Sequence, residues 1–260
     1  MLSKNKIKYI CSLEHKKYRV ATSSFVAEGY KVVADLIPAF RCKCLVATSE
    51  WFENNDSVLA SLHATNTEII TVTDEELRKV SFQETPQQVL AIFQQPQWSV
   101  DICHVAKHSL CLALDDVQNP GNLGTIIRLA DWFGIEHIFC SRNSADIYNP
   151  KTIQATMGAI ARVQVHYVDL PSVLATIDSS TPIYGTSLHG ENIYTKPLTP
   201  HGLIIMGNEG KGVSDAVNAF VNEQLYIPNY PQGRPTSESL NVAIATAIVC
   251  AEFRRRCMPY

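Results

Sequence analysis

Three stretches of this chain hold side chains whose types and spacing could do chemistry. The first runs from Leu114 through Asp115, Asp116 and Asn119 to Gly121-Asn122-Leu123-Gly124 and on to Arg128. The second is Leu203-Ile-Ile-Met206 followed by Gly207-Asn208-Glu209-Gly210-Lys211-Gly212, and the third joins Ile227-Pro228 through a Pro-rich loop to Ser239-Leu240-Asn241-Val242. In each, an apolar segment meets a turn of Gly, Asn, Ser or Glu, so backbone groups and short polar side chains are offered together. A phosphate-cradling loop is the first chemistry to test. It needs Lys followed by Ser or Thr, but Lys211 is followed by Gly212, and Gly121 and Gly124 do not supply the three glycines of a dinucleotide fingerprint. Glu209 in mid-turn would repel a phosphate and suits a neutral or cationic ligand.

The elements that must position these turns follow from the pattern. From Ser109 onward, apolar strands at 110–114, 137–140, 163–167, 182–186, 203–206 and 224–227 alternate with helices at 123–133, 151–161, 171–177, 213–220 and from 240 to 251. Continuous apolar strands alternating with helices predict a parallel sheet covered on both faces. Ligands of such sheets lie at the strands' C-terminal ends, where all three turns fall. The last helix is apolar on nearly every side apart from Asn241 and Thr246, which predicts burial. Asn122 suits the N-cap of the 123–133 helix, and Ser239 and Asn241 suit the cap of the last one. Arg128 falls on a polar side with Thr125 and Asp131, where an i,i+3 ion pair with Asp131 competes with a role on a ligand.

The first 95 residues form a smaller α/β pattern. A basic period-three helix over 3–13 precedes strands near 25–29, 44–48, 68–72 and 89–93, with a helix over 30–37 stopped by Pro38. Ser49 is expected to cap the helix from Glu50, and Thr73 with Glu76 makes a capping box. Residues 96–108 read as a linker. Residues 1–43 hold nine Lys/Arg against three Asp/Glu, and residues 44–101 two against nine, so one face is expected to be basic and suited to phosphates although the formal net charge is −3.

Length and a composition of 46% hydrophobic and 18% charged residues describe a globular chain of one large or two ordinary domains. Eight scattered cysteines with no Cys-x-x-Cys predict reduced thiols in a cytoplasmic protein, with no metal site. Cys42 and Cys44 fall on one strand face, but no second pair completes a ligand set. His137, His166, His189 and His201 lack ligand spacing. Arg254, Arg255 and Arg256 complement a helix C-terminus or grip the phosphates of a partner. No signal peptide and no bilayer-length apolar run are expected.

Taken together and in this order, the three motifs resemble those of the SpoU (TrmH) family of RNA ribose 2′-O-methyltransferases, members of the SPOUT class. The segments 3–6, 16–19, 25–29 and 84–91 are similar to the substrate-binding domain carried by ribosomal-RNA members, related to a ribosomal-protein RNA-binding fold. The resemblance implies a C-terminal parallel-sheet α/β domain over 109–260, closed by a trefoil knot, and an N-terminal RNA-binding domain over 1–95. It further implies a homodimer and S-adenosylmethionine as methyl donor, with RNA, ribosomal rather than transfer RNA, as substrate. An RNA-binding assembly factor without activity is the rival from another class. By resemblance, Arg128, Asn122, Glu209, Ser239 and Asn241 serve catalysis, and Thr186, Met206, Gly207, Gly210, Ile227, Ser239 and Leu240 hold the cofactor. Arg128 is expected to clamp the target phosphate bidentately rather than act as a base, because a guanidinium stays protonated. The loop 229–238, with Pro231, Arg234 and Pro235, is longer than the family's usual connection.

Overall fold

The computed structural model of the protein describes residues 2–63, 65–231, 234–235, 237 and 239–257. They form two compact units, one of residues 1–97 with 146–162 and one of residues 98–145 with 163–260.

The first unit contains α1 (Lys4–Ser12), α2 (Lys16–Thr22), β1 (Ser24–Glu28), α3 (Tyr30–Leu36), β2 (Cys42–Thr48), α4 (Ser49–Glu53), α5 (Asp56–His63), β3 (Glu68–Val72), α6 (Asp74–Arg78) and β4 (Val89–Gln94). Its sheet has the order β1-β4-β2-β3, with β4 antiparallel to both neighbours and β2 parallel to β3. The capping box forms as expected: the Thr73 hydroxyl accepts from Glu76 N, and Glu76 accepts from Thr73 N. α4 is capped one residue earlier than expected. The Thr48 hydroxyl accepts from Trp51 N, because Ser49 is already helical and only the last strand residue has the extended backbone a cap needs.

The second unit begins with α7 (Ile102–His108), which occupies the stretch expected to be a linker and is capped by Asp101. There follow β5 (Leu110–Leu114), α8 (Pro120–Trp132) and β6 (His137–Ser141). The chain then contributes residues 146–162, with α9 (Pro150–Thr156) and a 3-10 turn at Ala159–Ala161, to the first unit. There Asp146 accepts from the buried Arg19 guanidinium at 2.6 Å, Gln83 donates to Gln154 at 2.8 Å, and the Tyr148 ring lies 4.8 Å from that of Phe25. Gly158, at φ +91°, lies so close to Asp35 that a Cβ would meet Oδ2 at 2.3 Å. Arg19 also donates to the Leu13 and Glu14 carbonyls, so its buried charge is both paired and hydrogen-bonded.

The second unit resumes with β7 (Gln164–Val168), α10 (Leu170–Leu174), β8 (Ile183–Asn192), β9 (Gly202–Met206), α11 (Asp215–Asn218), β10 (Glu223–Tyr226) and α12 (Val242–Cys257). Its six-stranded sheet is wholly parallel in the order β10-β8-β9-β5-β6-β7, the α/β architecture the apolar strand pattern predicts. Cys111, Ala113, Leu203 and Ile205 from the central strands pack with Phe139, Leu170, Leu174 and Val217.

The last helix corrects an expectation. α12 is not buried all round: Val249, Cys250 and Phe253 are buried, but Ile244 is 54% exposed, and Leu240 just before it 45%. Trp132, at the end of α8, is 83% exposed. The three arginines are used inside the unit. Arg254 donates to the carbonyls of Phe133 at 2.6 Å and Gly134 at 2.9 Å, capping α8 rather than its own helix. Arg255 and Arg256 both donate to the buried Glu252 carboxylate at 2.7 Å, and those bonds hold its pKa down at about 2. All eight cysteines are free, and burial pushes Cys42, Cys44, Cys111 and Cys250 up to about 12, so these four are unreactive thiols. Among the described residues no helix is long and apolar enough to cross a membrane, and no three potential metal ligands cluster.

Candidate active site

The site is built where the central strands β5 and β9 end. Asp115 N donates to Met206 O at 2.9 Å, which carries the ladder one residue past the end of β5. The Asp115 side chain is buried and accepts from Ser214 N at 2.8 Å, so it holds the far limb of the Gly207–Val213 turn. Asp116 has φ +59°, a conformation disfavoured for residues with a Cβ. Its N donates to the Ser141 hydroxyl at 2.9 Å, and its carbonyl accepts from Asn208 Nδ2 at 2.9 Å, which holds the near limb.

The turn itself is closed by reciprocal bonds between Asn208 and Gly212 at 2.9 and 2.8 Å, and Asn208 Oδ1 accepts from Gly210 N and Lys211 N. Glycine is required at 207, where a Cβ would stand 2.2 Å from Gly212 C. Glu209 is thereby fixed at the tip.

Four of the five residues assigned to catalysis meet there. The Glu209 carboxylate accepts from the Asn122 amide and, at 3.0 Å, from Asn241 Nδ2. Asn241 Nδ2 also donates to Asn122 Oδ1 at 3.2 Å, and the Ser239 hydroxyl donates to Glu209 O at 3.3 Å. A cleft of about 360 Å³ is lined by Val117, Gln118, Asn119, Asn208, Glu209 and Val242 among others, so all three motifs contribute to one wall. The carboxylate lies by the N-termini of α8 and α12, whose partial positive charge favours an anion.

Asn122 is not the N-cap. Asn119 is, accepting from Gly121 N at 2.8 Å and Asn122 N at 3.1 Å, because Pro120 suits the first helical position and sets the start three residues earlier. That leaves the Asn122 side chain free to reach Glu209. Asn241 does cap its helix: Oδ1 accepts from Ala243 N at 3.0 Å and Ile244 N at 3.2 Å, while Nδ2 serves the site. Ser239 does not cap α12.

Arg128 stands apart from this network. It is exposed and makes no hydrogen bond or ion pair among the described residues, so the alternative of a pair with Asp131 is not formed. It lies six residues along α8 from Asn122, about 9 Å further down the axis.

Of the residues expected to hold the cofactor, Thr186 lies within β8, Met206 ends β9 with Gly207 and Gly210 in the turn after it, Ile227 follows β10, and Ser239 and Leu240 precede α12; β8, β9 and β10 are neighbouring strands. The Thr186 hydroxyl donates to Ile205 O at 3.3 Å, Met206 is buried, and Gly210 N is taken by Asn208. Between Gln224 and Leu225 the partner on β8 changes from Gly185 to Glu191, so residues 186–190 leave that ladder. Ile227, Leu240 and their peptide groups make no backbone hydrogen bond among the described residues. Free peptide edges at neutral strand ends fit a heteroaromatic base, which is read by such groups in a cleft. Of the long loop, residues 232, 233, 236 and 238 lie outside the described residues.

Residues 109–251 match the SpoU rRNA Methylase family, and residues 4–91 match the MRM3-like substrate binding domain. The chain belongs to the SpoU rRNA methylase family. Its relatives include the 23S rRNA (guanosine(2553)-2′-O)-methyltransferase RlmP of Bacillus subtilis, 31% identical over 96% of each chain. Among solved structures, a TrmH-family protein from Porphyromonas gingivalis is 39% identical, with 98% of this chain and 99% of that one covered at a TM-score of 0.84. An AdoMet-bound rRNA methyltransferase from Sinorhizobium meliloti is 29% identical over 100% and 97%, at a TM-score of 0.87.

Sequence reasoning on this SpoU chain passed over Asp115, Asp116, Asn119 and Asn208 as positioning groups. The signal available was two successive carboxylates directly after an apolar strand, where burying a charge requires a donor. It also passed over Lys196, buried between Glu191 at 2.6 Å and Glu223 at 2.7 Å. Burial works against that charge, but the two carboxylates outweigh it and hold the Lys196 pKa above its ordinary value.

Proposed function

We propose that this protein transfers a methyl group from S-adenosylmethionine to a ribose 2′-hydroxyl of RNA, and that the RNA is ribosomal. The observation that carries the reading is the joining of Asn122, Glu209 and Asn241, 119 positions apart at the extremes, into one hydrogen-bonded cluster beside a cleft. A relative that covers 96% of the chain acts on 23S rRNA by name, the N-terminal part matches a substrate binding domain, and the AdoMet-bound relative supports the donor.

The donor, when bound, supplies an electrophilic methyl on a sulfonium, which is displaced in line by an oxygen. Thr186, Met206, Gly207, Gly210, Ile227, Ser239 and Leu240 would hold it, mostly through backbone groups. Asn122 and Asn241 fix Glu209, and this cluster orients the sugar. A positioned hydroxyl gains most of its advantage from alignment, since near-attack placement replaces a bimolecular encounter. The hydroxyl that takes the methyl would give its proton to phosphate or water, and the donor would leave as its neutral thioether. Arg128, with its guanidinium uncommitted among the described residues, clamps the target phosphate and stabilises the developing alkoxide.

We place the trefoil knot in the C-terminal segment. β10 is the edge strand, three places from β5, yet Asn241, fifteen residues after Tyr226, bonds to Asn122 beyond β5. The chain must cross the ends of two strands to do so, which supports threading there. We assign a homodimer on the ground that a single copy leaves large apolar side chains of the α8/α12 pair in water, Leu240 and Ile244 at the start of α12 and Trp132 at the end of α8. Residues 1–95 are taken to bind the RNA, and the free thiols suit a cytoplasmic enzyme.

Incubation of the protein with labelled S-adenosylmethionine and ribosomal RNA, followed by mapping of 2′-O-methyl groups, tests the assignment. Label is expected at one nucleotide and is expected to vanish when that nucleotide carries deoxyribose. Transfer to the deoxy substrate, or to transfer RNA alone, overturns it.

A further inference from the structure

The first unit has a cleft of its own, about 470 Å³, at one end of the four-stranded sheet. It opens where β1 and β2 begin and β4 ends, an arrangement set by the register Ser24 with Gln94 and Cys42 with Phe93. The volume lies within the range of small-ligand sites. Five of its lining residues, Ser23, Arg41, Gln94, Gln95 and Gln97, are polar, and none is acidic.

The charge here is uncompensated. Arg41 is exposed and makes no side-chain hydrogen bond or ion pair among the described residues. Lys43, two residues on, donates among the described residues to neutral oxygens: Thr22 O at 3.0 Å, Ser23 O at 3.5 Å and the Ser24 hydroxyl at 2.8 Å. α2 ends just before the lining residue Ser23 and carries Lys16 and Lys17 at its start, outside the lining, with Lys17 Nζ 4.7 Å from the Tyr18 ring centroid. The acidic first turn of α6, with Asp74, Glu75 and Glu76, instead follows β3 at the sheet's opposite end. Of the nine basic residues among the first 43, Arg41 lines the opening and Lys43 lies two residues from it, whereas Arg19 and Lys6 are paired with Asp146 and Glu68.

The amides give the cleft a preference. Gln95 Nε2 is committed to Ser24 O at 3.0 Å and Arg19 O at 3.3 Å, so its Oε1 is a fixed acceptor. Such an acceptor suits the exocyclic amine of a base, and neighbouring glutamines supply both donors and acceptors. Single-stranded RNA is read through splayed bases hydrogen-bonded on their edges, with arginine on phosphate or stacked on the base.

We propose that this cleft receives one unpaired, amine-bearing nucleotide of the substrate RNA, its base edge against Gln95 and Gln97 and its phosphate on Arg41. The proposal rests on the reading above that the substrate is RNA.

The test uses the full chain, with short labelled oligo(C), oligo(U) and poly-glutamate as probes and fluorescence anisotropy at several salt concentrations. Oligo(C) is expected to bind more tightly than oligo(U). Arg41→Gln is expected to weaken oligo(C) roughly tenfold and to reduce the salt slope by about 0.7, the loss of one phosphate contact on a single strand. Its melting temperature and its affinity for S-adenosylmethionine are expected to stay unchanged. Photo-crosslinks from a thio-substituted oligonucleotide are expected on residues 94–97. Equal binding and salt slope in Arg41→Gln, crosslinks confined to other segments, or tighter capture of poly-glutamate each overturn the proposal. Should the wild-type protein bind oligo(C) in this way and yet methylate no RNA, the enzymatic reading fails while the cleft assignment stands. Methylation with Arg41-independent binding has the reverse meaning.

Discussion

Asn241 donates to the Glu209 carboxylate at 3.0 Å through the same side chain whose oxygen caps α12 at Ala243 N. One amide thus ties the start of the last helix to the tip of the second motif. Because its two ends do different work, substitutions can separate them.

Asn241→Asp keeps a capping oxygen but sets a carboxylate against Glu209. Helix stability should change by less than about 1 kcal/mol, since Asp and Asn cap comparably, while methyl transfer should fall by roughly 10²-fold as the cluster is pushed apart. Asn241→Ala should lose both, with an added destabilisation of about 1 kcal/mol. Chemical denaturation alongside single-turnover rates measures each effect, and a fully active Asn241→Asp enzyme would show that Glu209 need not be held.

Asp115 acts on the same glutamate from the other side, through Ser214 N at 2.8 Å. Asp115→Asn retains an acceptor and should keep most of the activity. Asp115→Ala leaves the Ser214 N–H to water and lets the turn drift, so kcat should fall while KM for RNA holds. Equal kcat loss in both variants would assign Asp115 a different role.

Asp116, at φ +59°, is strained by its Cβ. Asp116→Gly should be neutral or slightly stabilising, because its backbone bonds to Ser141 and Asn208 persist. Asp116→Val should cost about 1–2 kcal/mol, read as a fall in the urea midpoint.

The imidazoles of His137 and His166 face each other across β6 and β7, with Nδ1 and Nε2 3.4 Å apart. Burial first, and then the neighbouring His137, lowers the His166 pKa to about 4. The unfolded chain therefore binds more protons than the folded one between about pH 6.5 and 4. Stability from this pair should be full above pH 6.5, fall progressively with pH through that window and level off below about 4. His166→Phe, which keeps a ring against Phe139, should flatten that part of the pH profile of the urea midpoint. An unaltered slope would place the proton uptake elsewhere.

Much was legible along the chain itself, wherever the physics is local. The Thr73–Glu76 box, the apolar strands and the stop before Pro38 depend on residues within one turn or one strand, so their types determined α6, the two sheets and the end of α3. Three motifs each opening at a strand end were enough to name a family. Tertiary structure decided what depended on partners distant in sequence. Asn119 rather than Asn122 caps α8, a choice with meaning only because Glu209, 87 positions away, takes the freed amide. Residues 146–162 read as part of the catalytic half by periodicity, yet Asp146 is bonded to Arg19, 127 positions away. Hydrophobic periodicity states which face of a segment is to be covered, and it carries no record of which surface covers it; that is decided only when long-range contacts outweigh the chain entropy lost in forming them.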